Sequence, residues 1–128
     1  MASILVIDDD VQVLWVIRKI LEKEGHKVIS AQDGEMGLQL YRNAPYDLVV
    51  TDMIMPNKSG INLISDILRD YPEAKIIAIS GGGAIEAERY LQIAKSLGVA
   101  RTLTKPFSMQ SLLEVVNEAL SRTPETED

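Results

Sequence analysis

Short apolar runs recur along the chain at the spacing of strands that alternate with helices. Most of these runs do not alternate with polar residues, which is typical of strands buried on both faces of a parallel sheet. A weaker run at residues 102–104 predicts a fifth strand at an edge of the sheet. The four stronger runs are residues 4–7, 28–29, 48–50 and 76–79.

Helical periodicity fills the intervals between the apolar runs. Apolar residues recur every three to four positions within residues 11–24, 33–43, 61–68, 87–97 and 109–120. Gly25 and Gly98 follow two of these segments and predict helix ends, as Tyr71 and Pro72 do for a third. Ser108 precedes the last segment as a predicted N-cap.

The strand–helix alternation predicts an α/β fold with five βα units. Right-handed crossovers then place helices on both faces of a doubly wound, five-stranded parallel sheet. Residues 123–128 contain no apolar side chain, and we expect a flexible acidic tail after a domain spanning residues 1–122. We expect no separate output domain.

Composition excludes several classes of site and partner. The 128 residues include no cysteine and one histidine, so thiol chemistry, disulfides and multi-histidine metal sites are excluded. We expect His26 to be an exposed loop residue. The net charge of −6 argues against nucleic acid and anionic membranes as partners. No apolar run is long enough to span a bilayer and no signal peptide is recognised, so a cytoplasmic location is expected.

Polar side chains follow four of the predicted strands. Asp8 and Asp9 follow the first, Asp52 ends the third, Ser80 ends the fourth and Lys105 follows the fifth. In an open doubly wound sheet, ligands bind beyond the carboxyl ends of the strands. These residues therefore form the candidate site.

Carboxylates that converge from two strand ends repel one another unless a cation lies between them. Oxygen ligands of this kind suit Mg²⁺, which usually takes one or two carboxylates and keeps several waters. Asp52 can act as a nucleophile that forms an aspartyl phosphate. The Lys105 ammonium and the Ser80 hydroxyl are suitable partners for the added phosphoryl group.

These motifs resemble those of the response-regulator receiver domains of two-component signalling. The resemblance covers nearly the whole chain and includes ILVIDDD at residues 4–10, IIAISG at 76–81 and TLTKPF at 102–107. Its most specific part is LVVTDMIMPNKSG at 48–60, with the pattern D-x-x-M-P-x-x-x-G on Asp52, Met55, Pro56 and Gly60. The resemblance implies a flavodoxin-like fold with strand order 2-1-3-4-5.

The resemblance also implies a metal site and a phosphoacceptor. Asp52 corresponds to the phosphorylation site. Asp9, Asp52 and the backbone carbonyl of Ile54 correspond to the Mg²⁺ ligands, and Asp8 corresponds to a residue that acts chiefly through a metal-bound water.

Two further positions are implied to respond to the phosphoryl group. Ser80 corresponds to the hydroxyl residue that moves toward it, and Lys105 to the lysine that pairs with it. The bond from Lys105 to Pro106 is one that the family usually holds cis. Thr102 replaces the family's usual aromatic residue, so the readout by an inward-turning ring is not expected here.

The implied partners are a sensor histidine kinase and a downstream protein. Trp15 lies opposite the apolar stripe of the first predicted helix, beside Gln12 and Lys19, and an exposed tryptophan is often an anchor at interfaces. We expect the kinase to dock there, and the surface of the last two helices and the last strand to carry the output.

As a signalling receiver, the chain would carry out only its own phosphorylation and dephosphorylation. Two other classes of protein are alternatives, one an enzyme and the other a cofactor-binding module. A Mg²⁺-dependent phosphatase or phosphotransferase of haloacid-dehalogenase type would carry D-x-D at a strand end, where this chain has Asp52-Met53-Ile54. A flavin-binding module would need a Ser/Thr-rich loop after the first strand, where this chain has three acids.

Overall fold

Five strands alternate with five helices along the chain. The computed structural model describes residues 2–55, 57–81 and 84–121, with the backbone alone at 84 and 85. Pro56, Gly82, Gly83 and the predicted tail at 123–128 lie outside the described residues. The elements are β1 Ser3–Ile7, α1 Val11–Lys23, β2 Lys27–Ala31, α2 Gly34–Asn43, β3 Leu48–Asp52, α3 Gly60–Asp70, β4 Ile76–Ser80, α4 Ala84–Leu97, β5 Arg101–Thr104 and α5 Met109–Ser121.

All neighbouring strands pair in parallel, in the order β2-β1-β3-β4-β5. The predicted fold class, strand order and edge position of the fifth strand are therefore confirmed. The order places β1 and β4 on either side of β3, so the ends of three acid- or hydroxyl-bearing strands are adjacent. Ile7 pairs in register with Thr51, and Asp52 pairs with Ile79.

The sheet separates two apolar clusters, one on each face. The residues of β3 and β4 are buried throughout, because helices cover both faces, and this explains why their sequences lack alternation. One cluster joins the sheet to α2, α3 and α4, and its largest fully buried side chains include Leu63, Ile64 and Ile67. The other joins it to α1 and α5 and includes Ile17, Leu21 and Leu112.

Polar caps begin the helices where they leave the site end of the sheet. The Asp10 carboxylate accepts a hydrogen bond from the Gln12 amide, and the Ser108 hydroxyl accepts one from the Ser111 amide. Gly25 and Gly98 follow α1 and α4 with φ of 93° and 108°, a left-handed conformation that glycine adopts without steric cost. The helix ends predicted at these glycines are confirmed.

The expectation for His26 is wrong, because the residue is only 8% exposed. Its Nδ1 accepts a hydrogen bond from the Ala2 backbone amide at 3.3 Å, which draws the side chain against the start of β1. A position after a helix-ending glycine favoured a solvated loop, and no local pattern predicts the contact with Ala2, 24 residues away.

Within the described part of the chain, no helix combines the length and the apolar character needed to cross a membrane.

Candidate functional site

The candidate site lies at the carboxyl edge of the sheet, where the predicted residues come together. Asp8 and Asp9 follow β1, Asp52 is the last residue of β3 and Ser80 is the last residue of β4. Lys105 follows β5 and reaches back across the edge, and its amide donates to the Ser80 carbonyl at 2.7 Å. All five residues singled out from the sequence therefore share one site.

Three carboxylates form the centre of this site. One oxygen each from Asp8, Asp9 and Asp52 lies within 4.8 Å of the others. Asp8 and Asp52 are buried, at 2% and 8% exposure, whereas Asp9 is exposed. Three hard anionic oxygens at this separation suit a divalent cation with oxygen ligands, because the cation offsets their mutual repulsion.

Lys105 neutralises part of this charge. Its Nζ lies 2.8 Å from Asp8 Oδ2 and 3.4 Å from Asp52 Oδ1. Burial lowers the pKa of Lys105, but the hydrogen bond to Asp8 and the charges of both aspartates outweigh it and raise the pKa above its usual value. The lysine is therefore a permanent cation, with Asp8 as its shorter contact.

The charge of Asp52 is costly in the folded chain. Burial, followed by repulsion from Asp8, raises its pKa to about 6, although Lys105 and a hydrogen bond with the Met53 amide act in the opposite direction. The carboxylate is ionised at neutral pH, yet it is poorly solvated. Such a group gains from a nearby cation.

Asp8 has a different environment from Asp52. Its Oδ1 accepts a hydrogen bond from the Asp10 amide at 2.9 Å, while its Oδ2 accepts one from Lys105. Both oxygens therefore have protein partners, whereas Asp9 faces solvent. Asp9 is therefore the more accessible of the two carboxylates.

Ser80 carries a buried hydroxyl without a hydrogen-bond partner among the described residues. The residue is 1% exposed. A buried hydroxyl left unpaired costs about 1–3 kcal/mol, so the Ser80 hydroxyl is available to donate to a group bound at this edge of the sheet.

Two glycines allow close approaches around the acceptor. A Cβ at Gly60 would lie 2.4 Å from the Asp52 carbonyl oxygen and 2.6 Å from the Met53 Cα, so α3 begins directly against the end of β3. A Cβ at Gly81 would lie 3.2 Å from the Lys105 side chain. The lysine therefore passes closely over this glycine on its way to the carboxylates.

The loop after β3 contains features that the sequence did not predict. Ile54, whose backbone carbonyl is an implied metal ligand, exposes 54% of its side chain to solvent. Asn57 adopts a φ of 70° and donates from Nδ2 to Asp33 Oδ2 at 3.0 Å. An asparagine in a loop between motif residues indicates a left-handed backbone. Its hydrogen bond to Asp33, 24 residues away, could not be predicted from the sequence.

The surface predicted for docking is exposed. Trp15 is 61% exposed on α1, and the Lys19 ammonium lies 5.5 Å from the centre of its ring. Val11 and Val16 on the same helix are also exposed, at 57% and 42%.

The Lys105–Pro106 peptide bond is cis, as implied by the resemblance.

Comparison with known proteins identifies relatives over almost the full chain. The family model described as "Response regulator receiver domain" matches residues 4–117. Protein CcdB of Bacillus subtilis is 36% identical over 121 residues, which cover 94% of this chain and 98% of that protein. The transcriptional regulatory protein CpxR of Escherichia coli is 34% identical over 96% of this chain, which spans about half of CpxR (51%).

Solved structures show the same fold. A response regulator receiver domain protein from Clostridium thermocellum superposes with a TM-score of 0.87 and is 32% identical, covering 95% of this chain and 96% of that one. These similarities do not support the alternative of a haloacid-dehalogenase-type phosphatase.

Proposed function

Because the chain belongs to the response regulator receiver domain family of two-component systems, we propose that it accepts a phosphoryl group on the Asp52 carboxylate from a histidine kinase. The observation that carries this proposal is a buried, poorly solvated carboxylate paired with a permanent cation, beside a buried hydroxyl that has no partner among the described residues. Such a site is incomplete until a group with acceptor oxygens arrives.

The carboxylates of this site fit Mg²⁺. We assign Asp9, Asp52 and the Ile54 carbonyl as its protein ligands, with Asp8 acting through a bound water. Mg²⁺ would supply positive charge against the acceptor carboxylate and the incoming phosphoryl group. The cluster of Asp8, Asp9 and Asp52 and the high pKa of Asp52 support this assignment.

The transfer step uses the chain's own groups as follows. A carboxylate oxygen of Asp52 attacks the phosphorus of the kinase phosphohistidine as the P–N bond breaks, and the departing imidazole takes up a proton. The Lys105 ammonium pairs with the transferred phosphoryl oxygens, and the Ser80 hydroxyl donates a hydrogen bond to one of them. Hydrolysis of the acyl phosphate later restores the carboxylate, so the chain turns over no separate substrate.

The output of the switch is a change in a protein-binding surface. Movement of Ser80 and Lys105 toward the phosphoryl group would bias the arrangement of α4, β5 and α5, because both residues flank β5. The half-buried Thr102 on β5 replaces the family's aromatic residue, so the shift is carried without a rotating ring. The downstream target is a protein that reads this surface.

The kinase docks on α1 in this proposal. The exposed Trp15, flanked by Gln12 and Lys19, offers an aromatic anchor close to the site, since α1 begins three residues after Asp8. With a kinase of this kind as its partner, we expect the chain to act in the cytoplasm.

The test of this function is intact mass after incubation with acetyl phosphate. We expect a gain of one phosphoryl group in the presence of Mg²⁺, and no gain with EDTA or in Asp52→Asn. An unchanged wild-type mass, or an equal gain in Asp52→Asn, contradicts the proposal. Sustained hydrolysis of many small phosphoesters per chain would instead indicate a phosphatase.

A further inference from the structure

Asp33 joins the start of α2 to the loop that follows β3. Its Oδ1 accepts the Met36 amide at 2.8 Å and so caps α2, while its Oδ2 accepts Asn57 Nδ2 at 3.0 Å. We call the Asn57–Asp33 hydrogen bond the latch. One carboxylate thus serves a helix cap and a contact between two segments that are distant in sequence.

The latch holds a loop whose two ends are already fixed. The Met53 amide donates to the Ile79 carbonyl at 3.1 Å, and the Gly60 amide donates to the Met53 carbonyl at 2.9 Å. The start of α2 also packs tightly on this loop, because a Cβ at Gly34 would lie 2.3 Å from the Lys58 carbonyl oxygen. The latch therefore adds a hydrogen bond between the start of α2 and a loop that already packs against it.

Asn57 is suited to the latch by its backbone. Its φ of 70° lies in the left-handed region, which asparagine adopts more readily than most residues other than glycine. Asn57 is exposed and Asp33 is half-buried, so their hydrogen bond fixes the loop more than it contributes to the core. A structural benefit alone would be modest for such a bond.

We propose that Asp33 and Asn57 are positioning residues that set the affinity of the site for Mg²⁺. The inference depends on the proposed function, in which the Ile54 carbonyl, three residues before Asn57, is a metal ligand. A carbonyl held in place before the metal arrives binds it without the entropic cost of ordering the loop. The latch supplies that order from α2, which itself contributes no ligand.

The test is a double-mutant cycle on Mg²⁺ affinity, measured by calorimetric titration of the full chain with MgCl₂. Asn57→Gly removes the latch and retains the left-handed backbone. Asp33→Ser removes it from the other side and retains a hydroxyl that can cap α2. We expect each variant to raise the Kd for Mg²⁺ by about threefold or more, and the double variant to bind no more weakly than the weaker single variant.

The proposal is overturned if the changes in Mg²⁺ binding free energy of the two single variants add in full in the double variant, or if the Kd of Asn57→Gly is unchanged. Loss of the Asp33 charge changes the Kd both in the wild-type background and in the Asn57→Gly background. This electrostatic effect therefore cancels in the double-mutant cycle. Urea unfolding checks that Asn57→Gly remains folded. Uptake of a phosphoryl group from acetyl phosphate is measured separately. Failure of the latch proposal then appears in the Kd for Mg²⁺, whereas failure of the proposed function appears as no uptake in the wild type.

Discussion

At the residue scale, the Asp52 carboxylate stands out among the described residues as an acid whose charge the folded chain accommodates poorly. Its pKa is about 6, against 3.8 for an ordinary aspartate, chiefly because of burial and the neighbouring Asp8. The folded chain therefore binds the Asp52 proton more tightly than the unfolded chain does. The resulting stabilisation is fully present below about pH 4 and is lost as the pH rises through about 6.

The raised pKa of Asp52 gives a prediction for the stability of Asp52→Asn in Mg²⁺-free buffer. At pH 7 we expect the variant to have a free energy of unfolding about 1–3 kcal/mol above that of the wild type, after allowance for screening by solvent. The difference should vanish below about pH 3, where the wild-type carboxyl is protonated in both the folded and the unfolded chain. Urea titrations at several pH values measure it, and a difference that grows toward acid contradicts the assignment.

The two buried hydroxyls of the neighbouring strands β3 and β4 give a matched pair. Ser80 lacks a partner among the described residues, whereas Thr51 Oγ1 donates to the Asp52 carbonyl at 2.9 Å. We expect Ser80→Ala to leave the free energy of unfolding unchanged or to raise it by up to about 1 kcal/mol. Thr51→Val should lower it by about 1 kcal/mol.

The same Ser80→Ala variant should lower phosphoryl uptake at Asp52, because the hydrogen bond to the phosphoryl group is lost. Chemical denaturation and intact mass provide the two readouts. A strongly destabilised Ser80→Ala would show that the hydroxyl is a structural group with a partner in the resting fold.

The identities of the site residues could be predicted from the sequence, but their pairings could not. Asp8, Asp9, Asp52, Ser80 and Lys105 were recognisable because each stands at a strand end. That Lys105 rests closer to Asp8 than to Asp52 depends on side-chain distances across three strands, which no local pattern encodes. The Asn57–Asp33 hydrogen bond was unpredicted for the same reason.

At the element scale, the close contact between α3 and β3 sets the position of the acceptor. In Gly60→Ala the new methyl group would meet the backbone at Asp52 and Met53, which cannot move without shifting the end of the strand. We expect a loss of about 2 kcal/mol or more in the free energy of unfolding. Gly81→Ala is the milder control, since the nearest atoms to its methyl group belong to the Lys105 side chain at 3.2 Å and not to the backbone.

We expect the control to lose less than about 1 kcal/mol, with thermal or urea unfolding as the measurement. Equal stability of Gly60→Ala and the wild type would show that α3 can move away from the acceptor strand at no cost.

The exposed face of α1 gives a second prediction at this scale. Trp15→Ala should slow phosphotransfer from a kinase that phosphorylates the wild-type chain by about tenfold, because an interface anchor is lost. Phosphorylation by acetyl phosphate and the free energy of unfolding should stay unchanged, since the side chain is 61% exposed. Met36→Ala, on α2, removes a comparably exposed apolar side chain and should leave both reactions unaffected.

The bounds of the elements followed closely from the sequence where local chemistry determines them. Ser108, Gly25 and Gly98 all cap or end helices as predicted. The burial of His26 did not follow from its local sequence, because its hydrogen bond joins it to Ala2, 24 residues away along the chain.

At the scale of the whole molecule, the strand order creates the site. Periodicity predicted five parallel strands without their order, and the observed order β2-β1-β3-β4-β5 places the ends of β1, β3 and β4 side by side. Three of the 19 acids lie in the carboxylate cluster and three belong to residues 123–128, which leaves 13 acids and 13 bases in the remainder. The net charge is therefore concentrated where a cation and a phosphoryl group would offset it, and at the end of the chain.

The most direct test of the central claim is to locate the acyl phosphate within the chain. Borohydride reduces an aspartyl phosphate to homoserine, and trypsin releases residues 43–58, which contain both Asp47 and Asp52. After treatment with acetyl phosphate and Mg²⁺, tandem mass spectrometry should find homoserine at position 52 and aspartate at position 47. Homoserine at Asp47, Asp8 or Asp9, or none when Mg²⁺ is present, would contradict the assignment of Asp52 as the phosphoacceptor.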